Sequence, residues 1–363
     1  MRFAVLGSHP DGLEFACALI ESGSHEIMCY SAEVGDAYRA RFGDQARLVA
    51  DLEEILADPG VELVIVAGSP ANRPAQLRRA LQSERHVACV YPPDDSPDIA
   101  HEASMIRGDT GKLLFPIMPD ALHPGVRSFA ELLVKLTGRV PMLRFDLQTE
   151  TKGAKADALG FGGWDVLRSV GGEIAEVAGF AASEGVDAGP VLINGRFQRG
   201  LLFQVSMATG GVRERWRLSA EGEKERVELE WPYGRGGAAY LSRWGADGEL
   251  QEEAWTSWDP WPEVVRDFEA QLREGARPAS GEREWKDVIR GLELDDALRR
   301  SIKYGRSVVL DYQEGSEEVG FKGTMTLVGC ALLWVLLPVL ILANMYPVAA
   351  TNAPSSPRPR KRA

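Results

Sequence analysis

Apolar and polar positions change their period several times along the chain, and each change marks an element. Residues 2–7 form a short apolar run closed by Gly7, the pattern of a strand buried on both faces of a parallel sheet. Pro10 then stands where the first turn of a helix tolerates a missing N–H. Leu13, Ala16, Cys17 and Ile20 recur at helical spacing within 11–22. The same reading predicts strands over 26–30, 61–67 and 86–90, and helical pieces over 36–42, 52–56 and 74–83. Strands that alternate with helices predict a parallel, Rossmann-like sheet with right-handed crossovers. From about residue 190 the period falls to two. Strands are predicted over 191–197, 201–208, 212–220, 226–231, 238–244 and 250–258, with turns such as Gly210-Gly211 and 234–237 between them. Consecutive strands at turn spacing imply an open, mostly antiparallel sheet. A helix over 262–274 closes it. One face of such a sheet can carry substrate, and the other an interface between copies of the chain.

The pattern ends in a stretch of another kind. Residues 324–347, TMTLVGCALLWVLLPVLILANMYP, contain no charged residue. About 20 apolar residues span a bilayer as a helix, and this run supplies about 23, roughly 34 Å of helix. Pro338 is tolerable in a membrane helix, and Lys322 and Tyr346 suit the two interfaces. Arg2 is followed by too short an apolar run for a secretory signal, because His9, Asp11 and Glu14 break it. The expectation is a single-pass C-terminal membrane anchor with the globular part in the cytoplasm. The tail carries Arg358, Arg360, Lys361 and Arg362. Basic tails favour the cytoplasmic side, so this arrangement works against that rule. It still asks less than translocating the body without a signal.

Charge and cysteine usage narrow the function classes. The net charge of −12 lacks the basic footprint of a nucleic-acid binder. No acid follows Glu318, so the body before the span is more acidic than the sum shows. Cys17, Cys29, Cys89 and Cys330 are scattered, which excludes a disulfide scaffold and a thiolate zinc site. No zinc, calcium or P-loop pattern occurs, so no metal is expected.

The first strand–helix turn reads Gly7-Ser8-His9-Pro10-Asp11-Gly12. Against GxGxxG the outer glycines match and His9 replaces the middle one. The outer pair makes the tight turn and the close helix–strand contact, and the middle one admits the pyrophosphate. Asp11 adds negative charge where phosphates would sit at a helix N-terminus. The acidic residue that would grip a ribose falls near Ser31, with Glu33 the nearest carboxylate. Gly7, Ser8, His9 and Gly12 are the candidate cofactor residues of this turn.

In order and spacing, residues 2–312 resemble the Gfo/Idh/MocA oxidoreductases. Ser69-Pro70 after the strand 61–67 resembles the family's Ser/Thr-Pro beside the nicotinamide, and Val90-Tyr91-Pro92 stands at its Glu-Lys-Pro motif. Residues 163–177 (GWDVLRSVGGEIAEV) resemble the helix bearing the catalytic histidine and aspartate, and 284–310 the last helix and strand. The resemblance implies a Rossmann domain over 1–120 and an α/β domain with an open sheet over 121–312. An acidic linker over 313–323, the span 324–347 and a basic tail over 348–363 follow. It also implies NAD or NADP as cofactor, with Gly7, Ser8, His9, Gly12, Ser69, Pro70 and Pro92 around it, and a small polar substrate.

The departures fall on the catalytic pair. No lysine precedes Lys112, and Tyr91 stands in the family lysine's place. The histidine's place, three residues before Asp165, is Gly162, and no histidine follows His123. A base must titrate near neutral pH within hydrogen-bond reach of its proton, which glycine cannot do. Asp165 and Tyr91 remain as candidate catalytic groups, and Lys152, Lys155 and His123 could face the cleft. Each also has a plain structural reading, as a helix cap, a strand end or a solvated loop. The tryptophans of 216–261 read as core or interface packing in preference to a sugar platform. The expectation is therefore a pseudoenzyme, a degenerate binding or scaffold protein. The alternative is an active NAD(P)-dependent oxidoreductase with a rebuilt site for a sugar- or polyol-like substrate.

Overall fold

The computed structural model describes residues 1–310 apart from 44–45, 137–141, 150–160, 183–189, 210–213, 233–234 and 275–283. The acidic linker, the span 324–347, the basic tail, and Lys152 and Lys155 lie outside the described residues. Among the described residues no helix is long and apolar enough to cross a membrane.

The first half is an alternating α/β chain: β1 Arg2–Gly7, α1 Pro10–Glu21, β2 Glu26–Ser31, α2 Asp36–Phe42, β3 Arg47–Val49, α3 Leu52–Ala57, β4 Leu63–Ala67, α4 Arg73–Gln82, β5 His86–Val90, α5 Pro97–Thr110 and β6 Leu114–Ile117. Its six strands pair in parallel in the order β3-β2-β1-β4-β5-β6. The order reverses between β1 and β4, which opens a crevice beyond the carboxyl ends of the strands. β4 is buried at every position, as a strand covered on both faces must be.

The second half runs α6 Pro124–Lys135, β7 Met142–Thr149, α7 Trp164–Gly171, β8 Ile174–Ala181, β9 Val191–Phe197, β10 Leu202–Thr209, β11 Arg215–Glu221, β12 Arg226–Pro232, β13 Ala239–Trp244, β14 Leu250–Trp255, α8 Trp261–Glu274, α9 Trp285–Tyr304 and β15 Val308–Val309. These strands build a nine-stranded sheet in the order β14-β13-β12-β11-β7-β10-β9-β8-β15. All its neighbours are antiparallel except β7 and β10, which run parallel. The sheet is therefore mixed, with one parallel pair inside an antiparallel frame.

Two sequence expectations change here. The stretch 163–177 is not one helix: α7 stops at Gly171, Gly172 turns at φ +87°, and Ile174 opens β8. Two adjacent glycines end the helix, since a left-handed residue costs glycine no steric penalty. The helix over 262–274 packs on the first sheet and not on the second, whereas α9 packs back on the first half as the resemblance implies. Trp261, Val264 and Phe268 of α8 join the core of one face, with Phe15 and Phe115. Trp285, Val288 and Leu292 of α9 join the core of the other face. Further along α9, Leu294, Ala297 and Leu298 lie in the core of the nine-stranded sheet. The tryptophans 216 and 231 are core side chains against Phe145.

The outer glycines of the first turn do what their spacing predicts. Gly7 has φ +95°, and a Cβ there would lie 2.3 Å from the Ala67 carbonyl oxygen. A Cβ on Gly12 would lie 2.3 Å from the Ala67 Cβ and 3.2 Å from Val90 Cγ1. Gly12→Ala forces α1 off β4 and β5, so it should lower stability by about 1–3 kcal/mol. Urea denaturation of the full chain checks this, and an unchanged midpoint would contradict the contact.

Candidate functional site

The crevice is framed by three strand ends. Gly7 closes β1 and pairs with Ala67 of β4, which leads to Ser69 and Pro70. Val66 of β4 pairs with Cys89 of β5, which leads through Val90 to a cis Tyr91–Pro92 bond. The fold thus brings Gly7, Ser8, His9, Gly12, Ser69, Pro70 and Pro92 to one rim. Ser8, Ser69 and Pro70 are exposed, and Gly12 is buried beneath the turn.

The polar groups of this rim are largely engaged with one another. The Gly7 N–H donates to Ser31 Oγ at 2.8 Å, so the hydroxyl at the ribose position is tied into the turn. The His9 N–H donates to the Ala67 carbonyl at 2.9 Å. His9 is the N-cap of α1, and its Nδ1 accepts the Asp11 N–H at 3.2 Å. That amide is one of the free donors with which a helix N-terminus holds a phosphate. The Asp11 carboxylate is held by Arg235, Nη1 to Oδ1 at 2.6 Å and Nη2 to Oδ2 at 2.9 Å. Arg235 Nε also donates to Asp120 Oδ1 at 2.6 Å. Both carboxylates keep its guanidinium charged, well above the ordinary arginine range.

Below the rim, Arg73 of α4 is 2% exposed. Its Nε donates to the Gly68 carbonyl at 3.0 Å, and its Nη1 to the Pro92 carbonyl. One buried guanidinium thus ties the turn after β4 to the turn after β5.

The candidate catalytic residues meet at the junction with α7 and α9. Asp165 sits in the first turn of α7, and its Oδ1 accepts the Val166 N–H at 2.8 Å. The residue Tyr91 is half-buried, but its hydroxyl is sealed from solvent and has no hydrogen-bond partner among the described residues. A Cβ on Gly291 of α9 would lie 2.5 Å from that hydroxyl, so the ring lies tight against α9. Burial, with the nearby charges of Asp295 and Asp165, pushes the phenol further above its ordinary range. An acid role at neutral pH needs a shift the other way. At Gly162 the chain is exposed, and a Cβ there would meet nothing within 4 Å. His123 caps α6 through its Nδ1, which accepts the Gly125 N–H at 3.0 Å among the rings of Trp231, Trp255 and Trp258.

Three residues carry no assignment from sequence reasoning: Arg73 and Arg235 at the rim, and Asp295 at this junction. Asp295 of α9 is 2% exposed. Its Oδ1 accepts the Phe161 N–H at 3.0 Å and the Trp164 Nε1–H at 2.6 Å. Burial pushes its pKa up to about 7, while those two donors oppose the rise. The signal was present, because Asp295 falls on the apolar stripe of Leu292, Leu294 and Leu298. Arg235 carried only a weak signal, as the charged residue of a glycine-rich turn. Arg73, beside Pro74 at a helix start, carried none.

No protein-family model and no curated protein matches the chain. Solved structures do. GenD2 from gentamicin A biosynthesis, in complex with NAD, is 19% identical at a TM-score of 0.68, over 86% of this chain and 96% of that one. An oxidoreductase from Agrobacterium radiobacter, in complex with NAD+, L-tartaric acid and magnesium, is 15% identical at 0.69, over 85% and 98%. A 3-ketoreductase from Actinomadura kijaniata, in complex with TDP-benzene and NADP, is 18% identical at 0.69, over 83% and 98%. The chain has the Gfo/Idh/MocA oxidoreductase fold.

Within the Gfo/Idh/MocA fold the rim fits a dinucleotide only in part. Gly7 and Gly12 make the turn such a cofactor needs. The Asp11 amide and carboxylate and the Arg235 guanidinium are bonded to the protein itself, so in this arrangement the pyrophosphate place does not fit. A cavity of about 890 Å³ lies instead along the flank of α1, walled by Glu14, Tyr38, Arg41, Arg235, Trp258 and Trp261. Among the described residues no cluster of side chains suits a metal ion.

Proposed function

We propose that the chain is a membrane-anchored protein of the Gfo/Idh/MocA fold that no longer transfers hydride and works as a binding or scaffold protein. The observation that carries this is that neither Tyr91 nor Gly162, at the places of the family's catalytic lysine and histidine, supplies a proton acceptor. The Tyr91 hydroxyl is sealed against α9, and Gly162 offers open space with no titratable group. The Asp165 carboxylate lies beside them, and its Oδ1 accepts the Val166 N–H at a helix start. A general base must reach the substrate hydroxyl directly or through one water, and neither Tyr91 nor Gly162 supplies one.

Anchoring through 324–347 rests on that uncharged run. Self-association rests on the outer face of the nine-stranded sheet. There Arg215 and Arg217 alternate with Glu228 and Glu230, beside the exposed Phe180, Leu192 and Leu202. Such a face is complementary to itself in charge and offers apolar contact. The similar structures favour NAD or NADP with a small polar, polyol-like substrate as the binding class, held no tighter than about 1 mM while Asp11 and Arg235 close the first turn. The same likeness supports the competing reading, an active oxidoreductase with a rebuilt site.

The deciding assay follows NAD+ and NADP+ reduction by the full chain in detergent, across a panel of sugars and polyols. Enzymes commonly turn over at about 1–1000 per second. Here the rate should stay below about 0.001 per second for every pair. A substrate-dependent rate near about 1 per second would establish the competing reading.

A further inference from the structure

Residues 235–237 lead into β13 of the second sheet, yet the Arg235 guanidinium reaches two carboxylates of the first half. Its fork grips Asp11 at the start of α1, and its Nε grips Asp120 in the 3-10 turn Asp120–Leu122 after β6. The partners stand 224 and 115 residues away in sequence. The three side chains are 24%, 18% and 30% exposed, so water screens the cluster only partly. The guanidinium also lies 5.8 Å from the ring centre of Trp261, the first residue of α8. Arg235 itself has φ +66°, a region costly for any residue with a Cβ. Gly236 follows, and Gly237 turns at φ +119°. A conformation of that kind persists only where its surroundings hold it. Here the two carboxylates and the indole ring do so.

We infer that Arg235 is a latch. In the closed state it holds residues 235–237 at the first turn and keeps Asp11 where a phosphate would approach. In the open state the guanidinium leaves Asp11 for an incoming phosphate group, whose planar, bidentate recognition it is equally suited to give. The Asp11 carboxylate thus acts as an internal anion that competes with the ligand, and the two states differ in which anion Arg235 pairs. This goes beyond the absence of a proton acceptor, since a latch governs access whether or not hydride is transferred.

The test uses the full chain in detergent, with NADPH as the phosphate-bearing probe. Wild type, Asp11→Asn and Arg235→Gln are titrated by fluorescence. Amide hydrogen exchange is followed over 235–239, and thermal melting confirms that each variant is folded. Asp11→Asn removes the competing anion and keeps the arginine, so it should bind NADPH at least about tenfold tighter than wild type. Arg235→Gln loses the phosphate partner, so it should bind no tighter than wild type. In both variants exchange over 235–239 should be faster. The latch is overturned if Asp11→Asn binds no tighter, if Arg235→Gln binds tighter than wild type, or if exchange stays at the wild-type rate in folded variants. Turnover enters neither readout, so the latch and the loss of hydride transfer stand or fall separately.

Discussion

Asp295→Asn should stabilise the protein by about 4 kcal/mol at pH 8 and change it little at pH 4. The carboxylate is enclosed by α7 and α9, and burial pushes its pKa up to about 7. In the unfolded chain an aspartate titrates near 4. Between those values the folded state holds a proton that the unfolded state releases, so stability present below about pH 4 is lost as pH rises through 7. At about 1.4 kcal/mol per tenfold change in proton affinity, the loss reaches about 4 kcal/mol. Asparagine keeps an oxygen for the Phe161 and Trp164 donors and carries no charge.

His123 acts in the opposite direction. Burial lowers its pKa to about 4. The unfolded chain therefore binds a proton, between about pH 6.5 and 4, that the folded state refuses. That contribution is present above about pH 6.5 and is lost as pH falls to 4, by about 3 kcal/mol. The two slopes largely cancel in the wild type, and Asp295→Asn should expose the acid loss set by His123. Urea denaturation from pH 4 to 8 gives the difference curve between variant and wild type. A flat curve would contradict the account.

Arg73→Met should cost about 3–5 kcal/mol, more than its position near the surface end of a helix would suggest. The substitution keeps an apolar stem and removes the guanidinium. The Gly68 and Pro92 carbonyls then lose a charged donor, at about 1–3 kcal/mol for each buried group left unpaired. The loss falls on the two turns that frame the crevice, so Ser69, Pro70 and Pro92 should lose definition with it. Arg73→Lys keeps the charge but offers a single point in place of a planar fork, and should fall between wild type and Met. Thermal melting ranks the three, and equal melting of wild type and Met would show that the guanidinium is not the tie.

The first half of the fold was legible because its signals are local. Apolar runs ending at Gly7 and Ala67, and helical spacing after Pro10, set elements that match the structure within a residue or two. The strands β3, β6, β7 and β8 and the helix α5 are not predicted by the sequence pattern. Each lies beside helical or glycine-rich sequence where period alone does not separate strand from helix. β8 was absorbed into the helix that Gly171 and Gly172 cut short. The parallel pairing of β7 with β10 was not legible either, because it joins segments about 60 residues apart rather than hairpin neighbours. At the site, the missing lysine and histidine could be read from counts alone, and His9 and Asp11 from the turn itself. What closes the turn could not be read. Arg235 is far away in the chain, and only the folded sheet brings it to Asp11. Asp295 shows the reverse case, a charge on an apolar helix stripe that is visible in the sequence itself.

The first turn of this Gfo/Idh/MocA fold is filled from within, by Asp11 and Arg235. Calorimetric titration of the full chain with NAD(H) and NADP(H) tests it most directly. No binding tighter than about 1 mM should be seen for either cofactor, a standard free energy weaker than about −4 kcal/mol. Binding near 1 µM, about −8 kcal/mol, with Asp11 and Arg235 intact would contradict it.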